Sequence, residues 1–94
     1  MIDGFSHKGL EKSFEKDDNS GLPAQLVAKI RSILAQLEAA SKPEEMNYPG
    51  SAFHQLKGDR KGVYAVKVTG NYRITFRFNK KDGFAYDVNF EDYH

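Results

Sequence analysis

No cysteine occurs in the 94 residues, which excludes disulfides, thiolate metal sites and cysteine nucleophiles together. Tryptophan is absent, and proline appears only at positions 23, 43 and 49. Histidine is scarce as well: His7, His54 and His94 stand too far apart for a local zinc-ligand pattern. No stretch approaches the roughly 18 apolar residues of a membrane-spanning helix. The opening Met1-Ile2-Asp3-Gly4 has no signal-peptide character, so the expected compartment is the cytoplasm, with no membrane partner. Walker loops and dinucleotide-binding glycine patterns are missing, and Ser6-His7 lacks the strand–turn–helix setting of a nucleophile elbow. Metal nucleases need clustered carboxylates, which are few near the basic residues. The expectation is chemistry with no metal and no cofactor.

What is present is a hydrophobic fraction of 39%, a third of it aromatic, enough to core one small domain over residues 1–94. The net charge of +1 conceals a strong division. Residues 1–53 sum to −2 and residues 82–94 to −4, whereas residues 54–81 hold eight basic groups against Asp59 alone. Such a basic block suits a phosphate-bearing partner, although the solvated faces of strands give the same composition.

Hydrophobic spacing changes period along the chain. Ser6 is placed to cap a helix running to about Lys16, with Leu10 and Phe14 on its buried side. Pro23 suits the first turn of a second helix, in which Leu26, Ile30, Ile33, Leu34 and Leu37 form an apolar stripe. Pro43 limits that helix. From Phe53 onward the period is two. Tyr64, Val66 and Val68 alternate with polar or small residues; Tyr72, Ile74, Phe76 and Phe78 oppose Arg73, Thr75 and Arg77; Tyr86, Val88 and Phe90 continue the pattern. Ile2 to Phe5 offer a further edge strand. The expected fold is α+β, two N-terminal helices packed on a curved antiparallel sheet.

Three groups could carry chemistry. Phe53 and Leu56 cannot both face the core of a regular strand, so a bend is expected there, one that directs His54 and Lys57 toward a common space. Histidine exchanges a proton near neutral pH, and lysine is a fixed positive charge for a phosphate. At the C-terminus, Glu91-Asp92-Tyr93-His94 follow a strand without a break, so His94 is expected to be held against the sheet. Arg73 offers a two-pronged fork to a phosphate, while Tyr64, Tyr72 and Tyr93 are candidates for stacking on bases.

The segments Phe53-His54-Gln55-Leu56-Lys57-Gly58-Asp59-Arg60-Lys61-Gly62, Asn71 to Phe78 and Tyr86 to His94 together resemble the HigB toxins of the RelE/ParE superfamily. The chain departs from that pattern in Phe53 before the histidine and in tyrosines at 64 and 72 where tryptophan is common. The resemblance implies a RelE/ParE-like fold and a ribosome-dependent endoribonuclease that cuts messenger RNA in the A site of the 70S ribosome. It also implies a helix-turn-helix, HigA-like antitoxin, with operator DNA bound only through the complex. Carried over by position, it assigns His54, Lys57, Asp92, Tyr93 and His94 to catalysis and Arg73 to the phosphate. The adjoining Arg60, Lys61 and Arg77 are further candidates for RNA contact. A ParE-like inhibitor that binds DNA gyrase without nuclease activity is the alternative, and a non-catalytic RNA-binding domain is a third reading. Proton-transfer groups at 54 and 94 beside Lys57 are what the alternatives do not require.

Overall fold

A computed structural model describes residues 1–93. Helix α1 covers Lys8–Lys16 and helix α2 covers Val27–Ala39. Four strands follow, β1 (His54–Gln55), β2 (Tyr64–Lys67), β3 (Tyr72–Asn79) and β4 (Phe84–Asp92), in one antiparallel sheet of order β1-β2-β3-β4. This is the expected α+β arrangement. The N-terminal segment adds two parallel bridges along β4, Ile2 to Ala85 and Phe5 to Val88, so the expected edge strand is present as a short flanking contact.

Several boundaries differ from the sequence reading. His7, not Ser6, caps α1: its Nδ1 accepts the Leu10 N–H at 3.2 Å. Ser6 is drawn away because its backbone N–H donates to the Val88 carbonyl at 2.9 Å, which fixes the chain beside β4 until one residue later. Pro23 precedes a single 3-10 turn, Ala24–Leu26, which leads into α2. The stripe holds from Ile30 on, with Ile30, Ile33, Leu34 and Leu37 buried, whereas Leu26 falls in the 3-10 turn and is only half-buried.

The sheet lays Tyr64, Val66, Ile74, Phe76, Ala85 and Val88 against Leu10 and the α2 stripe. Each fully buried valine, leucine, isoleucine or phenylalanine among them contributes about 1.5–3 kcal/mol of hydrophobic stabilisation. The two helices are stapled through the loop between them. Arg31 donates to the Ser13 carbonyl at 3.0 Å and to Asp17 Oδ1 at 2.7 Å, while the buried Ser13 hydroxyl bonds Asn19 Oδ1 at 2.6 Å. Gly9 permits the close approach: a Cβ there would stand 2.6 Å from the Gly21 carbonyl oxygen.

The last strand breaks the expected alternation. Thr75 pairs with Asn89 but Arg77 pairs with Tyr86, so Asp87 and Val88 together oppose Phe76. Asp87 makes this bulge with φ of 51°, a left-handed conformation that aspartate tolerates better than a β-branched residue. The bulge inverts the faces on one side of it. Ala85, Val88 and Phe90 point toward the helices, and Tyr86 joins Arg77 on the opposite face.

Candidate functional site

Cross-strand partners share a face of the sheet, so the register defines which side chains look away from the helices. One row is His54, Ala65, Thr75 and Asn89; the next is Lys67, Arg73 and Glu91, with Tyr93 two residues beyond Glu91. Among the described residues the outer face therefore gathers His54, several basic groups and two tyrosines, Tyr86 and Tyr93. No three histidine or carboxylate side chains among the described residues form a metal-sized cluster.

His54 lies on the two-residue strand β1, after Ala52 at φ of 49°. Its ring is exposed and Nδ1 lies 2.9 Å from the Ala52 carbonyl oxygen. A carbonyl only accepts, so Nδ1 carries the proton and donates. In the neutral ring Nε2 is left bare, as a base requires.

The expected bend after β1 is a loop over residues 56–63. Its base is closed by the Leu56 N–H donating to Val63 at 2.8 Å, and its interior by a 3-10 turn, Gly58–Arg60. Lys57 opens this turn, and Lys57 and Lys61 line a shallow hollow with Gln55, Leu56 and Gly58. His54 stands on the strand leading into the loop and does not line that hollow.

Arg73 is held from two sides. Its Nη1 donates to the carbonyls of Thr69 at 2.6 Å and Tyr72 at 3.0 Å, and its guanidinium carbon lies 5.2 Å from the Tyr93 ring centroid. Among the described residues, Nε and Nη2 have no hydrogen-bond partner. Tyr93 is itself anchored by its backbone N–H donating to the Asn71 carbonyl at 2.5 Å. Asp92 pairs in register with Tyr72 and so lies on the other face from Arg73 and Tyr93. His94 lies outside the described residues.

Arg60 and Arg77 are both engaged by carboxylates. Arg60 forms a two-pronged pair with Glu91, Nη1 to Oε1 at 2.8 Å and Nη2 to Oε2. Arg77 Nε lies 3.8 Å from Asp87 Oδ2. Both arginines line a groove of about 280 Å³ with Asp59, Thr75, Asn89 and the two carboxylates. The Arg60 guanidinium holds the Glu91 carboxyl below the ordinary glutamate range, and the Thr75 hydroxyl, donating to Oε2 at 2.5 Å, acts in the same direction. Glu91, named in the C-terminal candidate group, and Thr75, named on the polar face of β3, receive no role of their own from the sequence reading. An acid two residues before Tyr93, at the strand parity that shares a face with Arg73 and Arg77, was the available signal.

Two of the three tyrosines proposed for base stacking are packed elsewhere. Tyr64 is 7% exposed, sandwiched between Phe53 at 5.5 Å and Phe76 at 5.6 Å. Tyr72 stacks on Phe90 at 4.9 Å on the helix side. Both belong to the core side because the strand register puts them there. Tyr93 alone of the three shares the face of Arg73 and His54.

The chain matches, over residues 3–94, a family described as the RelE-like toxin of the type II toxin-antitoxin system HigB. It is 46% identical to Endoribonuclease HigB of Proteus vulgaris over 94 residues, all of both chains. It is 30% identical over 76 residues to Toxin HigB-1 of Vibrio cholerae, covering 79% of this chain and 80% of that protein. A YoeB/ParE toxin from Agrobacterium tumefaciens has the same fold, with a TM-score of 0.64 at 20% identity, covering 100% of this chain and 99% of that one.

Proposed function

The chain belongs to the HigB family of RelE-like toxins of type II toxin-antitoxin systems, and from that membership we propose that it is an endoribonuclease that cuts messenger RNA on the 70S ribosome. Residues 1–94 act as one toxin domain, in the cytoplasm, where the ribosomal A site presents the substrate. The observation that carries the reading is His54: an exposed imidazole, its tautomer set by the Ala52 carbonyl, on the sheet face that also holds Arg73 and Tyr93.

The reaction needs no group from outside the polypeptide. The RNA 2′-hydroxyl attacks the adjacent phosphorus; the O2′–P bond forms and the P–O5′ bond breaks. One group removes the 2′ proton and another delivers a proton to the departing 5′ oxygen. His54 and His94 are the proposed proton carriers. Lys57 and the unbonded edge of Arg73 offset the charge that grows on the phosphoryl oxygens. Tyr93 positions or stacks on a base; Asp92, on the opposite face from His54, is assigned to orient His94; and Lys61 and Arg77 attract the RNA backbone. A HigA-like antitoxin of helix-turn-helix type neutralises the toxin, and operator DNA is bound only through their complex. The gyrase-inhibitor alternative is not favoured, because the full-length relative carries an endoribonuclease name.

The test is to map and characterise the ends of a defined transcript in a purified translation system, with and without ribosomes. Cuts that require ribosomes and leave a 5′-hydroxyl are expected. Cuts on naked RNA, or 5′-phosphate ends, contradict the proposed reaction.

A further inference from the structure

We propose that Glu91 is a positioning residue: through Arg60 it latches the loop carrying Lys57 onto the strand that leads to Asp92, Tyr93 and His94. The inference rests on the nuclease reading above and assigns Arg60 to the latch instead of to direct phosphate contact.

Apart from Arg73 on β3, the site draws on two separate parts of the chain. His54, Lys57 and Lys61 come from β1 and the loop over residues 56–63, whereas Asp92 and Tyr93 come from the far end of β4. The sheet order sets β2 and β3 between them. Backbone bonds hold the loop only at its base and within its own turn: Leu56 to Val63, Lys61 to Gly58, and Val63 to Arg60. None of these fixes the loop relative to β4. The Arg60–Glu91 pair does, spanning 31 residues of sequence.

The pair is built unequally. Glu91 is 18% exposed in its side chain and takes a third hydrogen bond from the Thr75 hydroxyl, itself on a central strand and 2% exposed. Arg60 is 45% exposed on the loop. The carboxylate is thus the rigid end and the guanidinium the tethered one. Two parallel N–H···O contacts fix orientation as well as distance, which a single contact does not. A partly exposed ion pair contributes little to global stability, so the role of such a latch is geometric. The pair takes one N–H each from Nη1 and Nη2, so a phosphate meets Arg60 only through its remaining N–H donors, in an orientation that Glu91 sets.

The experiment is a charge reversal. Arg60→Glu, Glu91→Arg and the double variant are compared with wild type on ribosomes carrying a defined message, by single-turnover rate constant and half-saturating ribosome concentration. Amide exchange of Lys61 and Val63 is followed in the same four proteins, as a readout independent of cleavage. Misplacement of about 1 Å near a reacting group can cost roughly 10²-fold, so each single variant is expected to lose about 10–10²-fold in rate constant. Half-saturation should change little, and the loop amides should exchange faster. The double variant, with the pair rebuilt in reverse, should regain slow exchange and most of the rate. Glu91→Gln, isosteric and able to accept one Arg60 N–H, gives an intermediate loss and covers the case where Glu91→Arg does not fold. Loop exchange that is indifferent to the single substitutions overturns the latch. So does restored exchange without restored cleavage in the double variant, which would show that Arg60 meets the phosphate. If wild type does not cut, the nuclease reading fails while the exchange pattern still decides whether Glu91 holds the loop.

Discussion

Backbone carbonyls orient His54 and Arg73 on the outer face. The Ala52 carbonyl sets the His54 tautomer, and the Thr69 and Tyr72 carbonyls turn the Arg73 guanidinium toward Tyr93. A carbonyl accepts from a cation without neutralising it, so Arg73 keeps its charge while its orientation is fixed. Arg73→Lys retains that charge and loses the planar fork. Ribosome binding should be largely kept, whereas the single-turnover cleavage rate should fall well below wild type; equal rates in the two proteins would remove Arg73 from the mechanism. The residue types at 54, 57 and 73 were legible in the sequence because Arg73 takes a polar position in the alternation of β3, while His54 and Lys57 stand where Phe53 and Leu56 break it. The acids that tether Arg60 and Arg77 were not, because Glu91 and Asp87 are distant in sequence and meet their partners only once the register is set.

At the scale of elements, periodicity carried most of the fold and failed where one residue was added. The α2 stripe from Ile30 to Leu37 and the inward face of β3 are where the spacing puts them. The bulge at Asp87 reverses the parity of β4, and Tyr86 therefore points outward. Simple alternation does not register an inserted residue. The start of α1 shows a similar limit: Ser6 and His7 both have side-chain acceptors, and the bond from the Ser6 N–H to β4 decides between them. The His7 cap has a pH signature. Burial lowers the His7 pKa below its ordinary value, and Nδ1 must be unprotonated to accept from Leu10. The cap's stabilisation is therefore complete above the unfolded-chain value of about 6.5 and is lost as pH falls through the lowered folded-state value. His7→Ala should cost about 1 kcal/mol near neutral pH and flatten the decline of stability below it, as read by urea unfolding at a series of pH values. An unaltered slope would show that the cap does not sense protonation.

Across the whole molecule, the two faces of the sheet divide the labour. One face meets the helices in a continuous apolar core, and the other carries His54, Arg73, Thr75, Arg77, Glu91 and Tyr93. No helix among the described residues is long and apolar enough to cross a membrane. The basic surplus of residues 54–81 is partly offset on that outer face by Glu91 and Asp87, which lie in the acidic C-terminal stretch. Charge counted along the sequence separated the two stretches, whereas folding interleaves them. Because His54 is exposed and outside the core, its loss should leave the fold intact and remove the chemistry. The most direct measurement is the single-turnover cleavage rate of wild type and His54→Ala on ribosomes carrying a defined message, with thermal unfolding of both proteins alongside. Loss of a proton carrier should slow cleavage by about 10²–10⁴-fold with cooperative melting unchanged. Cleavage by His54→Ala at the wild-type rate would contradict the assignment of this face as the active site.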